Sequence, residues 1–361
     1  MKVGRFVPPA IAPRPLDTQE LERRTGKRWT YSSSGKAAIF HCLRALAVSE
    51  PVVVPAYACS SILAPLKALG IVPIFADVDP ADLNLSFASF AAIATKRKPG
   101  AVIVPSLYGN PADLSRFEQF CREHGIAMID DAAQSFGAML DDRQVGTFGD
   151  AGLFSFSPGK ATAAHAGGFF WTRTGYAFAP SAHSLSHRIK WWNFRWSRMR
   201  AYQTWRYRHL LLPLEMLAGR IERQALWSDK IEAFEAPLLG GVLEALFNGR
   251  YAFRQEWHGR FQALLTSTPA VRLVSAKRGA AHPHKLVLVA DTEQRATEIR
   301  KFLAAKQIFS TQGYIPLGDA GDAPGLHAIE GKVVELAIDE DPRRMEIQYQ
   351  ALAQLVERAS P

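Results

Sequence analysis

Between residues 52 and 131 the sequence alternates short, almost wholly apolar runs with stretches of helical spacing, and that alternation allows few architectures. Residues 52–55, 71–76, 101–105 and 126–129 read as strands, with helices predicted over 60–69 and 113–123 and a further helical stretch before 101. Strands that are apolar along their whole length are buried on both faces, the mark of a parallel sheet covered by helices. Strand–helix–strand units of this kind connect parallel neighbours by right-handed crossovers. Residues 152–156 and 168–172 predict two more strands, with a polar turn at 157–160 leading out of the first. Ligands in such sheets sit at the carboxyl ends of strands. Asp130 and Asp131, directly after Ile129, lie at one such end.

The pattern then changes. Residues 175–229 carry five of the eight tryptophans (Trp191, Trp192, Trp196, Trp205 and Trp227) and a high density of arginine at helical spacing. From Gly249 a long helix leads into a second α/β unit, with strands at 285–289 and 331–337 and helices at 292–306 and 341–358. The expected fold is α/β: a large, mostly parallel sheet domain over 1–248 with a Trp/Arg-rich helical insertion at about 175–229, and a smaller C-terminal α/β domain over 249–361.

A chain of 361 residues has room for two such cores. Its 48% apolar and 21% charged residues match a globular protein better than a disordered tail or a membrane bundle. No run approaches the roughly 18 apolar residues needed to span a bilayer, and the N-terminus has no apolar core of a secretory signal. Three cysteines (Cys42, Cys59, Cys121) without CxxC spacing argue for a reducing compartment and against zinc or any other metal site. A cytoplasmic location is expected. The formal charge of +9 is concentrated: residues 186–223 hold nine Lys/Arg against Glu215 and Glu222. Interleaved Trp and Arg there fit three readings: a helical hairpin packed inside an assembly, contact with the inner face of an anionic membrane, or a ligand such as a nucleotide base. No nucleic-acid partner is expected.

Four local signals bear on chemistry. Ser32-Ser33-Ser34-Gly35 precedes the helical run 36–46, where small polar residues can cradle a phosphate or simply cap the helix. Asp130-Asp131, followed by Ala132-Ala133-Gln134, could ligate a metal, act as acid and base, cap a turn, or hold a proton on a heterocyclic nitrogen. Lys160, in Ser157-Pro158-Gly159-Lys160 after an apolar strand, is either solvated or desolvated into a nucleophile. Gly167-Gly168 opens a strand where backbone must approach something closely.

In order and spacing the chain resembles the DegT/DnrJ/EryC1/StrS family of sugar aminotransferases, which have the fold type I, aspartate aminotransferase-like architecture. The resemblance is carried by Ser34-Gly35-x-Ala37-Ala38, Val54-Pro55-Ala56-Tyr57, Phe75-Ala76-Asp77-Val78-Asp79-Pro80, Leu107-Tyr108-Gly109-Asn110-Pro111-Ala112-Asp113, Asp131-Ala132-Ala133-Gln134, Phe154-Ser155-Phe156-x-x-x-Lys160 and Gly167-Gly168. Gly313-Tyr314-Ile315-Pro316-Leu317 is similar to the family's His-Tyr-Pro-x-Pro-Leu segment. The resemblance implies pyridoxal 5'-phosphate as cofactor, held covalently by Lys160, with Asp131 at its ring nitrogen and Gln134 near its ring oxygen. It implies Ser155 and the Ser34/Gly35 helix start as phosphate ligands, and it places Lys36 and Cys59 beside the cofactor. It also implies a homodimer, an amino donor such as glutamate, and a nucleotide-linked keto sugar as acceptor, in surface-polysaccharide or antibiotic-sugar biosynthesis. His165, Tyr57, Asn193 and Tyr314 are the expected substrate contacts.

The chain departs from the family pattern at four places. Lys36 stands where a Thr is usual, Cys59 where many members stack an aromatic, and His165-Ala166 where Gly-Glu is usual. The Asn-Tyr-Arg segment is absent near 227–231, and Asn193-Phe194-Arg195 is its nearest imitation. Two other functions therefore stand beside amino transfer: a sugar dehydratase or eliminase using the same cofactor, and a non-catalytic relative that binds a partner or membrane.

Overall fold

The computed structural model describes residues 14–157, 159–160, 162, 167–175, 236–249 and 251–359. His165, Asn193 and the basic 186–223 segment lie outside the described residues. Seven strands form the large sheet: β1 (Thr30–Ser32), β2 (Val52–Pro55), β3 (Pro73–Ala76), β4 (Ala101–Pro105), β5 (Ala127–Asp131), β8 (Ala151–Ser155) and β9 (Gly168–Thr172), while β6 (Met139–Leu140) and β7 (Arg143–Gln144) pair with each other in a separate sheet. Their order is β1-β9-β8-β5-β4-β2-β3. The pairs β2–β3, β2–β4, β4–β5 and β5–β8 are parallel, and β9 alone runs against its neighbours β8 and β1. Every residue of β2, β4 and β8 is buried, as continuous apolar runs require of strands covered on both faces.

Three details differ from the sequence reading, each for a local reason. The helix expected over 60–69 opens as a 3-10 turn, Ser60–Ile62, and becomes α-helical only over Leu63–Leu69. Pro65 has no N–H to donate, so it is tolerated only in the first α-helical turn. β5 extends through Asp130 and Asp131 instead of stopping at Ile129, because neighbouring strands pair with both acids: Val104 with Asp130, Pro105 with Asp131. The helix expected from Gly249 begins at Phe253; Gly249 takes a positive φ of 68° that keeps it out of the helix.

Helix α2 (Gly35–Ala45) follows β1 and lays its buried face, including Ala38, Cys42 and Leu43, on the sheet. On the opposite face Phe154 of β8 stacks on Trp29 and Phe136, with ring centroids 4.3 and 3.9 Å away. A second core surrounds an antiparallel sheet of β10 (Val271–Leu273), β11 (Lys285–Ala290), β13 (Val333–Ala337) and β12 (Thr311–Gln312), in that order. Among the described residues no helix is long and apolar enough to cross a membrane.

The parallel strands, together with β1, point their carboxyl ends at one edge of the large sheet. The chain goes outward from β2 to β3 and then returns to β4 on the other side of β2, so the strand order reverses between β2 and β4. Crevices at such reversals are where open α/β sheets bind ligands.

Candidate active site

At that edge, β1, β9 and β8 bring Ser32, Gly168 and Ser155 into one row of the sheet. Ser34 caps α2, its hydroxyl accepting the Ala37 N–H at 3.2 Å. Gly35, the first helical residue, lies so close to β8 that a Cβ there would sit 2.9 Å from Ser155 Cβ and 3.0 Å from its Oγ. Gly168 is equally tight: a Cβ would collide with the Phe154 carbonyl. Two glycines thus let a helix N-terminus and a serine hydroxyl converge on one small volume, the chemistry of an anion cradle. Lys36, the next helical residue, is partly buried at the same helix start.

The two acids of β5 separate. Asp130 is fully buried, and its Oδ2 accepts the Gly146 N–H at 2.6 Å and the Phe148 N–H at 3.1 Å. Burial pushes its carboxyl up to about 8 despite those two donors. It is a structural anchor for the 146–148 turn. Asp131 has Oδ1 on the Ala133 N–H at 2.9 Å, and among the described residues no donor reaches Oδ2. Burial raises its pKa, opposed by that N–H and by the charge of Lys160. Lys160, past the end of β8, is partly buried, and its backbone N–H reaches the Ser157 carbonyl at 3.2 Å. Desolvation lowers its pKa and Lys285 adds to the lowering, while Cys59 and Asp131 pull the other way. A desolvated amine is neutral more of the time and so more nucleophilic.

A wall of tyrosines faces this pair of groups across the β2/β4 crevice. The hydroxyls of Tyr57, after β2, and Tyr108, after β4, are 2.9 Å apart. Tyr314 packs against both rings, at centroid distances of 5.4 and 5.8 Å. Gln134 binds the wall twice, its Oε1 accepting the Tyr108 N–H at 3.3 Å and its Nε2 donating to the Tyr314 hydroxyl at 3.0 Å. Cys59 is partly exposed and accepts from the Ser61 hydroxyl at 3.1 Å.

Of the residues expected from the sequence, the structure gathers Ser34, Gly35, Lys36, Tyr57, Cys59, Asp131, Gln134, Ser155, Lys160 and Tyr314 around this edge. Sequence reasoning missed Tyr108, whose hydroxyl donates to buried Glu335 at 2.7 Å, and Lys285, whose amine binds the same carboxylate at 2.6 Å. The signal available was an acid in the apolar strand Val333–Ala337, since buried acids are rare unless partnered. No group of three or more His, Cys, Asp or Glu among the described residues could hold a metal ion.

The DegT/DnrJ/EryC1/StrS aminotransferase family profile matches residues 23–320. A UDP-N-acetyl-3-dehydro-alpha-D-glucosamine 3-aminotransferase of Acidithiobacillus ferrooxidans is 36% identical over 130 residues, covering 36% of this chain and 35% of that protein. An L-glutamine:2-deoxy-scyllo-inosose aminotransferase of Streptomyces kanamyceticus is 36% identical over 180 residues, covering 46% of this chain and 41% of that one. The chain thus matches well under half of the length of these curated relatives. An aminotransferase structure from Streptoalloteichus hindustanus superposes with a TM-score of 0.71 at 19% identity, over 97% of this chain and 93% of that one, and shares its fold. With its profile match running from the first helix through the tyrosine wall, the chain belongs to the DegT/DnrJ/EryC1/StrS aminotransferase family.

Proposed function

We propose that this protein is a pyridoxal-phosphate-dependent aminotransferase that moves an amino group from glutamate, or a similar amino acid, to a nucleotide-linked keto sugar. The observation that carries the reading is the convergence of one lysine, one buried carboxylate and one glycine-lined cradle at a single sheet edge. The residues present fit the cofactor. Gly35 lets the N-terminus of α2 pack against Ser155, so that backbone N–H groups and a serine hydroxyl stand together for a phosphate, and Asp131 keeps one carboxylate oxygen without a donor among the described residues.

Bound there, pyridoxal phosphate supplies an aldehyde for the Lys160 amine and a ring that withdraws electrons when its nitrogen is protonated. Ser34, Gly35 and Ser155 bind the phosphate through backbone N–H and hydroxyl groups, with Lys36 adding charge. Asp131 holds a proton at the ring nitrogen, because a desolvated carboxylate with a raised pKa is stabilised by sharing a cation's proton. Lys160 Nζ would accept a proton from the donor's α-carbon and, in the reverse direction, give one to the acceptor carbon that receives the amino group. The tyrosine wall and Gln134 orient the ring and exclude water. The two curated relatives are named for amino transfer involving a UDP-linked dehydro-glucosamine and 2-deoxy-scyllo-inosose, which supports a cyclic keto acceptor.

We also place the site between the subunits of a homodimer, and the border between a cofactor-holding domain and a smaller one at residues 248/249. Sedimentation and limited proteolysis check these two assignments. The chemistry is tested by absorbance spectra of wild type and Lys160→Ala with added cofactor, before and after glutamate. A Lys160-dependent visible band that glutamate removes, with release of 2-oxoglutarate, is the expected result. A band that ignores every amino donor would rule out amino transfer and turn attention to elimination. No band at all would remove the cofactor from the reading.

A further inference from the structure

The polar groups behind the tyrosine wall form one directed chain, and its direction can be worked out donor by donor. The Tyr108 backbone N–H can only donate, so the Gln134 atom 3.3 Å from it must be the amide oxygen. That choice fixes which way the amide faces. The Gln134 NH2 therefore points at the Tyr314 hydroxyl, 3.0 Å away, and Tyr314 accepts. Having accepted there, Tyr314 must direct its own O–H proton elsewhere, and no acceptor for it lies among the described residues. Tyr314 is partly exposed at the crevice. It is left as an O–H donor without an acceptor among the described residues.

What holds Tyr108 in place is less ordinary. Tyr108 has φ 59° and ψ 12°, the left-handed region that a bulky residue rarely enters. Such a conformation persists only when the surroundings over-determine it. Two restraints do so. The backbone of the next residue, Gly109, accepts the His282 N–H at 2.9 Å, in a space so narrow that a Cβ would collide with the His282 carbonyl. The Tyr108 hydroxyl is fixed by Glu335, which is 5% exposed and whose other oxygen takes Lys285 at 2.6 Å and the Thr311 hydroxyl at 3.0 Å. Because Tyr108 donates to Glu335, its oxygen accepts from Tyr57.

We propose that Glu335, held by Lys285, is a positioning residue: by fixing the Tyr108 hydroxyl it helps keep residue 108 in its left-handed conformation, whose backbone N–H sets the face of the Gln134 amide and leaves Tyr314 as an O–H donor toward an oxygen of the acceptor substrate. The role rests on the aminotransferase reading for its activity readout alone. Glu335 touches neither substrate nor cofactor and acts through Tyr108. An oxygen-bearing acceptor such as a keto sugar gains from an oriented donor.

The test compares two double variants of equal charge. Lys285→Met/Glu335→Gln keeps an acceptor for the Tyr108 hydroxyl, and Lys285→Met/Glu335→Leu removes it. The first measurement is near-ultraviolet circular dichroism of the cofactor-free protein, which reports tyrosine packing whether or not the enzyme transaminates. The tyrosine signal should match wild type in the Gln pair and change in the Leu pair, with melting temperatures of the two pairs alike. With cofactor and amino donor, kcat for the acceptor half-reaction in the Gln pair is the reference, because both pairs lose the Lys285 charge beside Lys160 alike. In the Leu pair it should fall by about tenfold or more, the scale of a lost oriented donor. Tyr314→Phe made in the Leu background should then cost little more, since its donor is already misdirected. Identical tyrosine spectra in the two pairs would overturn the proposal regardless of activity. So would a full further loss from Tyr314→Phe in the Leu background, which would show that Tyr314 is oriented without Glu335.

Discussion

Asp130 and Asp131 are consecutive in β5 and point to opposite faces of the sheet, so that one carboxylate is consumed by the Gly146 and Phe148 N–H groups while its neighbour is turned toward Lys160. Strand alternation alone separates a structural acid from a chemical one. Asp131→Asn should leave the fold intact and reduce amino transfer by about two orders of magnitude or more, the scale of losing one aligned electrostatic partner. Steady-state rates at saturating cofactor check this.

Asp130 gives a pH signature. Its carboxyl titrates at about 8 in the fold and near 4 when unfolded. Between those values the folded state binds more protons than the unfolded one, so stability falls as pH rises from about 4 to about 8 and is flat with respect to this group above that. In Asp130→Asn this contribution is absent. Thermal melts from pH 5 to 9 should show wild type losing several degrees more than the variant as pH rises.

Gly35→Ala places a methyl group 2.9 Å from Ser155 Cβ, at the cradle. We expect cofactor affinity to drop by about tenfold, equivalent to about 1.4 kcal/mol, and the cofactor-free protein to melt at a lower temperature as well, because Ser155 on buried β8 must shift to admit the methyl group. Fluorescence titration with pyridoxal phosphate measures it.

Lys160, its pKa lowered mainly by desolvation, should react with aldehydes at lower pH than surface lysines do. Borohydride trapping of pyridoxal phosphate on the protein at about pH 7.5, followed by peptide mapping, should find Lys160 first. Dominant labelling elsewhere would contradict the desolvated placement.

Phe154 lies directly before Ser155 and between Trp29 and Phe136. Phe154→Ala should cost about 3–5 kcal/mol, as large-to-small changes in tight cores do. Because β8 carries Ser155, cofactor affinity should fall with stability, and denaturant melts with and without cofactor separate the two losses.

Much of the sheet was legible because β2, β4 and β8 are apolar from end to end, and the Ser32–Gly35 helix start could be read because its residues are contiguous; that Ser155 and Gly168 lie beside it follows from the β1-β9-β8 pairing. The different duties of Asp130 and Asp131 were not legible, since they depend on where β5 ends and on which face the 146–148 turn crosses. Nor was the Tyr108 anchor. Lys285 and Glu335 each sit in an ordinary strand, and their pairing follows from the β11–β13 register, which sets Lys285 against Ala337 and Val287 against Glu335. Tyr57 and Tyr314 could be placed only by resemblance. Their mutual contact depends on Gly313, whose lack of a Cβ lets the 313–314 backbone meet the Tyr57 hydroxyl.

The hydrogen bond between Tyr108 and Glu335 joins residues 227 apart in the chain. During synthesis the cradle, Asp131 and Lys160 leave the ribosome long before β13 exists, and N-terminal units fold first as a chain emerges. The parallel core of the large sheet can therefore form while the wall behind it is still unanchored, and β13 closes on Tyr108 afterwards as a latch.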